Sequence, residues 1–184
     1  MKLYELITFT VRVRTVATAM ACLEQRLAVD DAAVKLVGCW ASEIGPLNQI
    51  AVLRGFVDEA SRQAERERYL SSADVFGIEA YLTDMRVESY TLFPFIQPLS
   101  AGCHGPFYEL RVYDLMPSGL APTLKGWEKA VGPRTDVQYS PVYAAFYATD
   151  GQLPRYLHIW PYASLEQRLD VRARARSEEH TSEL

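Results

Sequence analysis

The sequence predicts an α+β fold made of two copies of one supersecondary unit, and three observations carry that expectation. Tyr4-Glu5-Leu6, at the head of an apolar run, returns as Tyr108-Glu109-Leu110 after an offset of 104. Val52-Leu53-Arg54-Gly55-Phe56 aligns with His158-Ile159-Trp160-Pro161-Tyr162 at an offset of 106, so the frame scarcely drifts between the two marks. Strand-like and helix-like segments also follow one another in the same order in both halves. A unit of this kind must bury its open face, and a second copy is the nearest cover for it.

Leu3 to Val13 is rich in Thr, Val, Ile, Phe and Tyr with alternating faces, the pattern of a strand. Val16, Met20, Leu23 and Leu27 then form one stripe on a 3.6-residue period, which predicts a helix ended near Asp30-Asp31. Lys35–Ala41 and Gln49–Val57 read as strands on either side of a turn that Gly45-Pro46 forces. From Asp58 to Leu70 the chain is charged and helix-favouring, and Asp58 is placed to cap the free amides of the first turn. A short helix over Ala73–Leu82, interrupted by Gly77, and a strand over Met85–Leu92 complete the unit. The order β-α-β-β-α-β is that of a ferredoxin-like repeat, here spanning residues 1–92.

Residues 93–106 form a linker dense in proline and glycine. The series restarts with a strand over Phe107–Tyr113 and a helix over Pro117–Val131 whose Leu120, Leu124 and Trp127 share a face. Strands over Val137–Thr149 and Leu153–Tyr162 follow, joined near Asp150-Gly151, a hairpin signal because glycine tolerates positive φ. Ser164 and Gln167 make a capping box for a last helix. The second repeat is therefore expected over 107–175, truncated before its last strand, with an unpaired sheet edge as the consequence. Residues 176–184, Arg-Ser-Glu-Glu-His-Thr-Ser-Glu-Leu, resemble the translation of a sequencing-library adapter and are expected to be a non-native tail without function, His180 included.

Composition excludes several classes. Hydrophobic residues at 49% and charged residues at 23% are those of an ordinary globular chain. No apolar run reaches the roughly 18 residues of a membrane span. Net charge is −4, of which the last nine residues contribute −2, so there is no footprint for nucleic acid. The Arg168–Arg176 stretch reads as a solvated helix face. Cys22, Cys39 and Cys103 form no paired motif and, being odd in number, argue for reduced thiols in a cytoplasm. Met1-Lys2 leads directly into a strand rather than a signal-peptide core.

No nucleophile elbow, P-loop, zinc helix or dinucleotide fingerprint occurs, so no catalytic residue is assigned. Candidates for ligand binding come from placement instead. Alternation puts Tyr156, His158 and Trp160 on one strand face. Two roles stay open for His158: a core residue bonded to a neighbour, or a ligand or acid/base group beside aromatic walls. A lone histidine predicts no metal site. Glu43, Asn48 and Gln49 flank the Gly45-Pro46 turn, either as turn chemistry or as a polar rim. Arg54 can take a carboxylate bidentately or pair with a nearby glutamate. Glu65, Arg68, Arg62 and Arg66 read as a solvated helix face with i,i+3 and i,i+4 pairs. Trp40, Trp127 and Trp160 are expected in the core.

At Ser42-Glu43-Ile44-Gly45-Pro46-Leu47-Asn48-Gln49 the chain resembles the NIPSNAP family, where this segment commonly reads T-E-I-G-P-L-N-Q before an H-x-W strand and a Y-x-S-L-x-x-R helix start. The remaining marks stand in the second copy as His158-Ile159-Trp160, Tyr162, Ser164-Leu165 and Arg168, with the opening Tyr108-Glu109-Leu110-Arg111. The first copy has Val52-Leu53-Arg54 at the H-x-W place, and the second lacks the E-I-G-P-L-N-Q turn. The resemblance covers residues 3 to 175 and implies a dimeric α/β-barrel architecture, closed within one chain as a pseudo-dimer or between two as a homodimer. It implies action through binding of a protein partner or a small molecule, with the cofactor unknown. The alternative it leaves open is a cofactor-poor monooxygenase or haem-degrading type of enzyme, with His158, Trp160, Asn48 and Arg54 as pocket residues.

Overall fold

A computed structural model describes residues 1–27, 32–134 and 141–182, with backbone alone for 133–134 and 176–182. The expected break at Asp30-Asp31, the start of the strand predicted from Val137 and the side chains of the tail, His180 among them, lie outside the described residues. The chain divides into two compact units. The first holds residues 1–92, 98–102 and 148–151, and the second holds 93–97, 103–147 and 152–184.

The first unit is the predicted β-α-β-β-α-β repeat. Its elements are β1 (Leu3–Val11), α1 (Val16–Leu27), β2 (Val34–Ala41), β3 (Gln49–Phe56), α2 (Glu59–Leu70) and β4 (Leu82–Leu92). The strands lie in the order β2-β3-β1-β4, antiparallel throughout, with Glu5 opposite Arg54 on one side and Ser89 on the other. This is the split βαβ arrangement that the element order demands. The stripe of α1 packs as predicted: Leu23 is buried and Val16, Met20 and Leu27 join it against Ile7, Phe9, Val11, Ile50 and Val52 of the sheet. Asp58 caps α2 by accepting from the Ser61 amide at 2.8 Å. β2 carries a bulge between Leu36 and Gly38, and Gly38 is there because the ring of Trp40 lies where a Cβ would stand, 2.1 Å from its ideal position.

The helix expected over Ala73–Leu82 is reduced to a single 3-10 turn, Val75–Gly77. Phe76 adopts φ 53° and Gly77 φ 77°, left-handed values that a helix cannot propagate. The turn delivers the Phe76 ring into the core, edge-on to Phe9 at 5.6 Å and tilted on Tyr69 at 5.0 Å. Tertiary packing of one aromatic overrides local helix propensity here.

The second unit repeats the plan through β5 (Phe107–Asp114), α3 (Leu120–Arg134), β6 (Ala144–Ala148), β7 (Arg155–Tyr162) and α4 (Leu165–Ser182). Its strands lie in the order β6-β7-β5, again antiparallel, and β5 closes one side of the sheet. The described strand begins at Ala144, and α3 at Leu120 rather than Pro117. Gly151 takes the positive φ of 72° that the hairpin signal requires. The capping box forms with one difference: the Gln167 amide donates to Ser164 Oγ at 3.1 Å, while Gln167 Oε1 accepts from Ala163 N at 2.6 Å. The core is Val142, Trp160, Tyr162 and Val171 with Ile96, Trp127 and Val131 packed on it. Among the described residues no helix is long and apolar enough to cross a membrane.

Candidate functional site

The repeated Tyr-Glu-Leu places one glutamate on the helix-facing side of the first strand of each unit, and both are gripped by arginines. In the first unit Glu5 is fully buried at 0% exposure on a face otherwise made of Ile7, Phe9 and Val11. A charge there persists only if it is paired. Arg54, directly opposite on β3, donates from Nη2 to Glu5 Oε1 at 2.9 Å and from Nη1 to Glu65 Oε1 at 2.5 Å. Arg66 donates from Nε to Glu5 Oε2 at 2.9 Å, and the Tyr69 hydroxyl reaches Oε1 at 3.3 Å. Burial pushes the Tyr69 hydroxyl up to about 12, helped by the Glu5 charge. Glu65 is raised by burial, but hydrogen bonds from Arg68 and Arg54 outweigh this and hold it below the usual carboxylate range.

Arg62 and Arg66 therefore do not form the solvated face expected of them. Both turn toward the sheet and meet at Ser89 of β4, whose Oγ accepts from Arg62 Nη1 at 2.6 Å and Arg66 Nη2 at 2.7 Å. The Ser89 hydroxyl in turn donates a hydrogen bond to Asp150 Oδ2 at 2.6 Å. Glu65–Arg68 keeps the predicted i,i+3 form, and Glu59–Arg62 adds a second i,i+3 pair, alongside the buried contacts. A polar helix reads as solvated unless the sheet beneath it is also polar, and Glu5 makes it so.

Arg54 is the candidate whose surroundings invite a ligand. Its side chain is 2% exposed, and its guanidinium carbon lies 4.9, 5.4 and 5.5 Å from the ring centres of Phe76, Tyr69 and Phe56. Its Nε is buried with no hydrogen-bond partner among the described residues. Arg54 also lines a cavity of about 550 Å³ together with Glu65, Arg68, Arg26, Asp74 and Phe76. That volume suits a small organic molecule.

In the second unit Tyr156, His158 and Trp160 do share one face. His158 stacks on Tyr156 at 5.5 Å and Tyr113 at 5.4 Å, and stands edge-on to Trp127 of α3 at 5.0 Å. Trp160 Nε1 donates to His158 Nδ1 at 2.6 Å. The histidine thus sits between sheet and helix, packed among rings, with one ring nitrogen engaged by a side chain two residues away. The three expected core tryptophans divide: Trp160 is buried, whereas Trp40 and Trp127 are half-buried. Glu43 is exposed on the Gly45-Pro46 turn, where Gly45 and Asn48 take φ values of 104° and 59°. Gln49 donates to Thr10 Oγ1 at 3.4 Å, and Ser42 N donates to Gln49 O at 2.9 Å.

Glu109 is the second copy of Glu5. Its carboxylate accepts from Arg111 Nη2 at 2.5 Å, from Arg172 Nη1 at 2.9 Å and from Arg168 Nη2. The Tyr162 hydroxyl lies 3.4 Å away, and the Arg111 guanidinium stands 5.4 Å over Trp160. Burial pushes the Glu109 carboxyl up, but hydrogen bonds from Arg111 and Arg168 carry it down to about 2. Arg168 and Arg172 are thus half-buried clasps rather than a solvated face. Neither Glu5 nor Glu109 was a sequence candidate. The signal for both was an acidic residue repeated inside an apolar strand, and Arg62 and Arg66 stand at the same offset of 106 from Arg168 and Arg172 as the strand marks do.

The NIPSNAP family model matches residues 4–95 and 108–184, one match to each repeat. Protein NipSnap of Drosophila melanogaster is 24% identical over 165 residues, covering 86% of this chain and 58% of that protein, so the chain spans little more than half the relative's length. An uncharacterized NIPSNAP domain protein of Burkholderia xenovorans aligns at 21% identity over 52% of this chain and 99% of its own, with a TM-score of 0.43. A candidate monooxygenase of Fusobacterium nucleatum shares the fold over 93% of this chain and 80% of its own, at 10% identity and a TM-score of 0.63. With both repeats matched, the chain belongs to the NIPSNAP family.

Proposed function

We propose that this NIPSNAP family member works by binding, and that its ligand is a small organic acid seated in the cavity of the first repeat with its carboxylate on Arg54. The observation that carries this reading is the buried Arg54 Nε without an acceptor, on a guanidinium that lines a cavity of about 550 Å³. A buried donor left without a partner costs on the order of 1–3 kcal/mol, and an entering carboxylate would recover it while gaining a charge-assisted hydrogen bond. Phe76 supplies an apolar wall, and Arg26 and Arg68 at the rim draw an anion inward. His158, Trp160 and Tyr156 then serve the second unit as a packed aromatic block, and Glu43, Asn48 and Gln49 shape a turn. Three free cysteines support a cytoplasmic setting. The enzymatic alternative draws support from the fold shared with the candidate monooxygenase, which bears on architecture and not on chemistry.

A thermal-shift screen with haem, flavins, quinols and small organic acids tests the proposal. A saturable shift is expected from a carboxylate. Leu36→Trp, which fills the cavity from β2, should abolish that shift while leaving the unliganded melting temperature within a few degrees. A shift confined to haem or a flavin, or a carboxylate shift that survives Leu36→Trp, would overturn it, and the first result would call for an oxygen-consumption assay.

A further inference from the structure

The cavity of the first repeat has two ends of different character. One end is Arg54, whose side chain is 2% exposed. The other is marked by Arg26 and Arg68, which line the same cavity but are 65% and 67% exposed. The wall also includes Leu27, Val34 and Leu36. A molecule seated on Arg54 and reaching the mouth therefore passes hydrocarbon and emerges among cations, so its outer end is open to selection by charge.

The two cations at the mouth are not equivalent. Arg68 spends Nε and Nη2 on the two oxygens of Glu65, at 2.7 and 2.6 Å. Arg26, in the last turn of α1, has one ion pair among the described residues, to Asp74 Oδ2 at 3.9 Å, too long for a hydrogen bond. Asp74 is held from the other side, where its Oδ1 accepts from the Glu79 amide at 3.3 Å. The stem of Arg26 rests over Gly77, its Cγ and Nε each 3.2 Å from where a Cβ would stand. Arg26 thus combines a stem laid against the rim with a guanidinium whose donors are unspent, and a planar fork of donors takes a carboxylate bidentately.

We infer that the ligand of the first repeat is an α,ω-dicarboxylic acid and that Arg26 is the residue that selects it. The inner carboxylate sits on Arg54, the methylene chain runs along Leu27, Val34 and Leu36, and the outer carboxylate draws Arg26 away from Asp74. This inference rests on the seat proposed at Arg54 and adds to it the second acidic group. The outer contact is solvent-exposed, so it supplies discrimination between acids more than affinity.

The experiment is calorimetric titration of the intact chain at neutral pH with straight-chain α,ω-dicarboxylates, their monomethyl esters and the ω-amino acids of equal length. The ester keeps the length but loses the outer charge, and the amino acid reverses it. The best diacid is expected to bind about fivefold more tightly than its half-ester, the size of one exposed ion pair, and added salt should narrow the difference. Arg26→Gln should reduce that preference to the statistical gain of two equivalent ends. Asp74→Asn keeps an acceptor for the Glu79 amide while removing the competing charge, and should enlarge the preference. Leu36→Trp tests the seat separately, since it should remove diacid and half-ester alike. A preference that survives Arg26→Gln, a half-ester that binds as tightly as its diacid, or an amino acid that binds most tightly would overturn this inference and leave the seat at Arg54 standing. Binding by no member of the series would overturn both.

Discussion

Replacing Glu109 by Gln isolates the carboxylate of the second repeat, and its contribution should depend on pH in a defined way. Burial alone would raise this carboxyl. Hydrogen bonds from Arg111 and Arg168, with their charges, instead lower it from 4.5 to about 2. A displacement that large corresponds to roughly 3 kcal/mol of preference for the charged form. Arg168 and Arg172 are 30% and 34% exposed, so solvent screening reduces the usable contribution to about 1–2 kcal/mol. Because the folded value lies below the unfolded one, the stabilisation is complete above pH 4.5 and is lost as pH falls through about 2. Roughly three quarters of it should survive at pH 4 and two fifths at pH 3, by linkage between those two values. The assay is urea unfolding of wild type and Glu109→Gln between pH 7 and pH 3, read by tryptophan fluorescence, since Trp127 and Trp160 lie in this unit. The gap between the two proteins should be flat from pH 7 to about 5 and then narrow. A gap that stays constant down to pH 3, or that is absent at pH 7, refutes the account of Glu109 as a clasped, charged carboxylate.

Two further substitutions test the packing. Gly38→Ala drives a methyl against the Trp40 ring, 2.1 Å from the ideal Cβ, and should cost about 1–3 kcal/mol in the same unfolding assay; a neutral result would mean that the bulge of β2 relaxes without loss. His158→Ala removes the acceptor of the buried Trp160 indole N–H and should destabilise by roughly 1–3 kcal/mol. Unchanged stability together with a lost ligand-induced shift would move His158 from the packed block to the ligand site.

The repeat itself was open to reading because two kinds of signal agree at most positions. Val16, Met20, Leu23 and Leu27 keep a helical period, and Leu3–Val11 keeps a strand-like one, so local propensity and burial point the same way. The Ala73–Leu82 segment departs from its helical pattern because Phe76, in a left-handed conformation, packs on Tyr69 and on Phe9, the latter far away in the chain. Arg54 was identifiable as a residue that pairs with a glutamate, but its main partner, Glu5, is 49 positions distant. Arg62 and Arg66 were misread for a related reason. A helix lacking an apolar stripe looks solvated in sequence, and only the acidic residue beneath it shows that its buried face is polar. The cavity lay beyond sequence reasoning altogether, since it is bounded by α1, β2, β3, α2 and the turn at Phe76 at once.

The two clasps also show how a duplicated unit diverges without losing its fold. The glutamate on the first strand and the two arginines on the second helix are retained in both copies. What changes is the position opposite the glutamate: Arg54 in one copy, Trp160 in the other. In the first, the cation comes from β3 and the rings from Phe56, Tyr69 and Phe76 around it. In the second, the ring comes from β7 and the cation, Arg111, from β5. Each arrangement places a guanidinium over an aromatic face beside the same carboxylate, so the electrostatic need of the buried glutamate is met either way. The exchange is therefore tolerated by the fold, and under the proposed function it bears on binding. An arginine at the β3 position presents a donor to the cavity of the first repeat, whereas a tryptophan there spends its one N–H on His158. A single strand position, opposite the glutamate that both repeats retain, thus separates the copy proposed to hold an anion from the copy packed as an aromatic block.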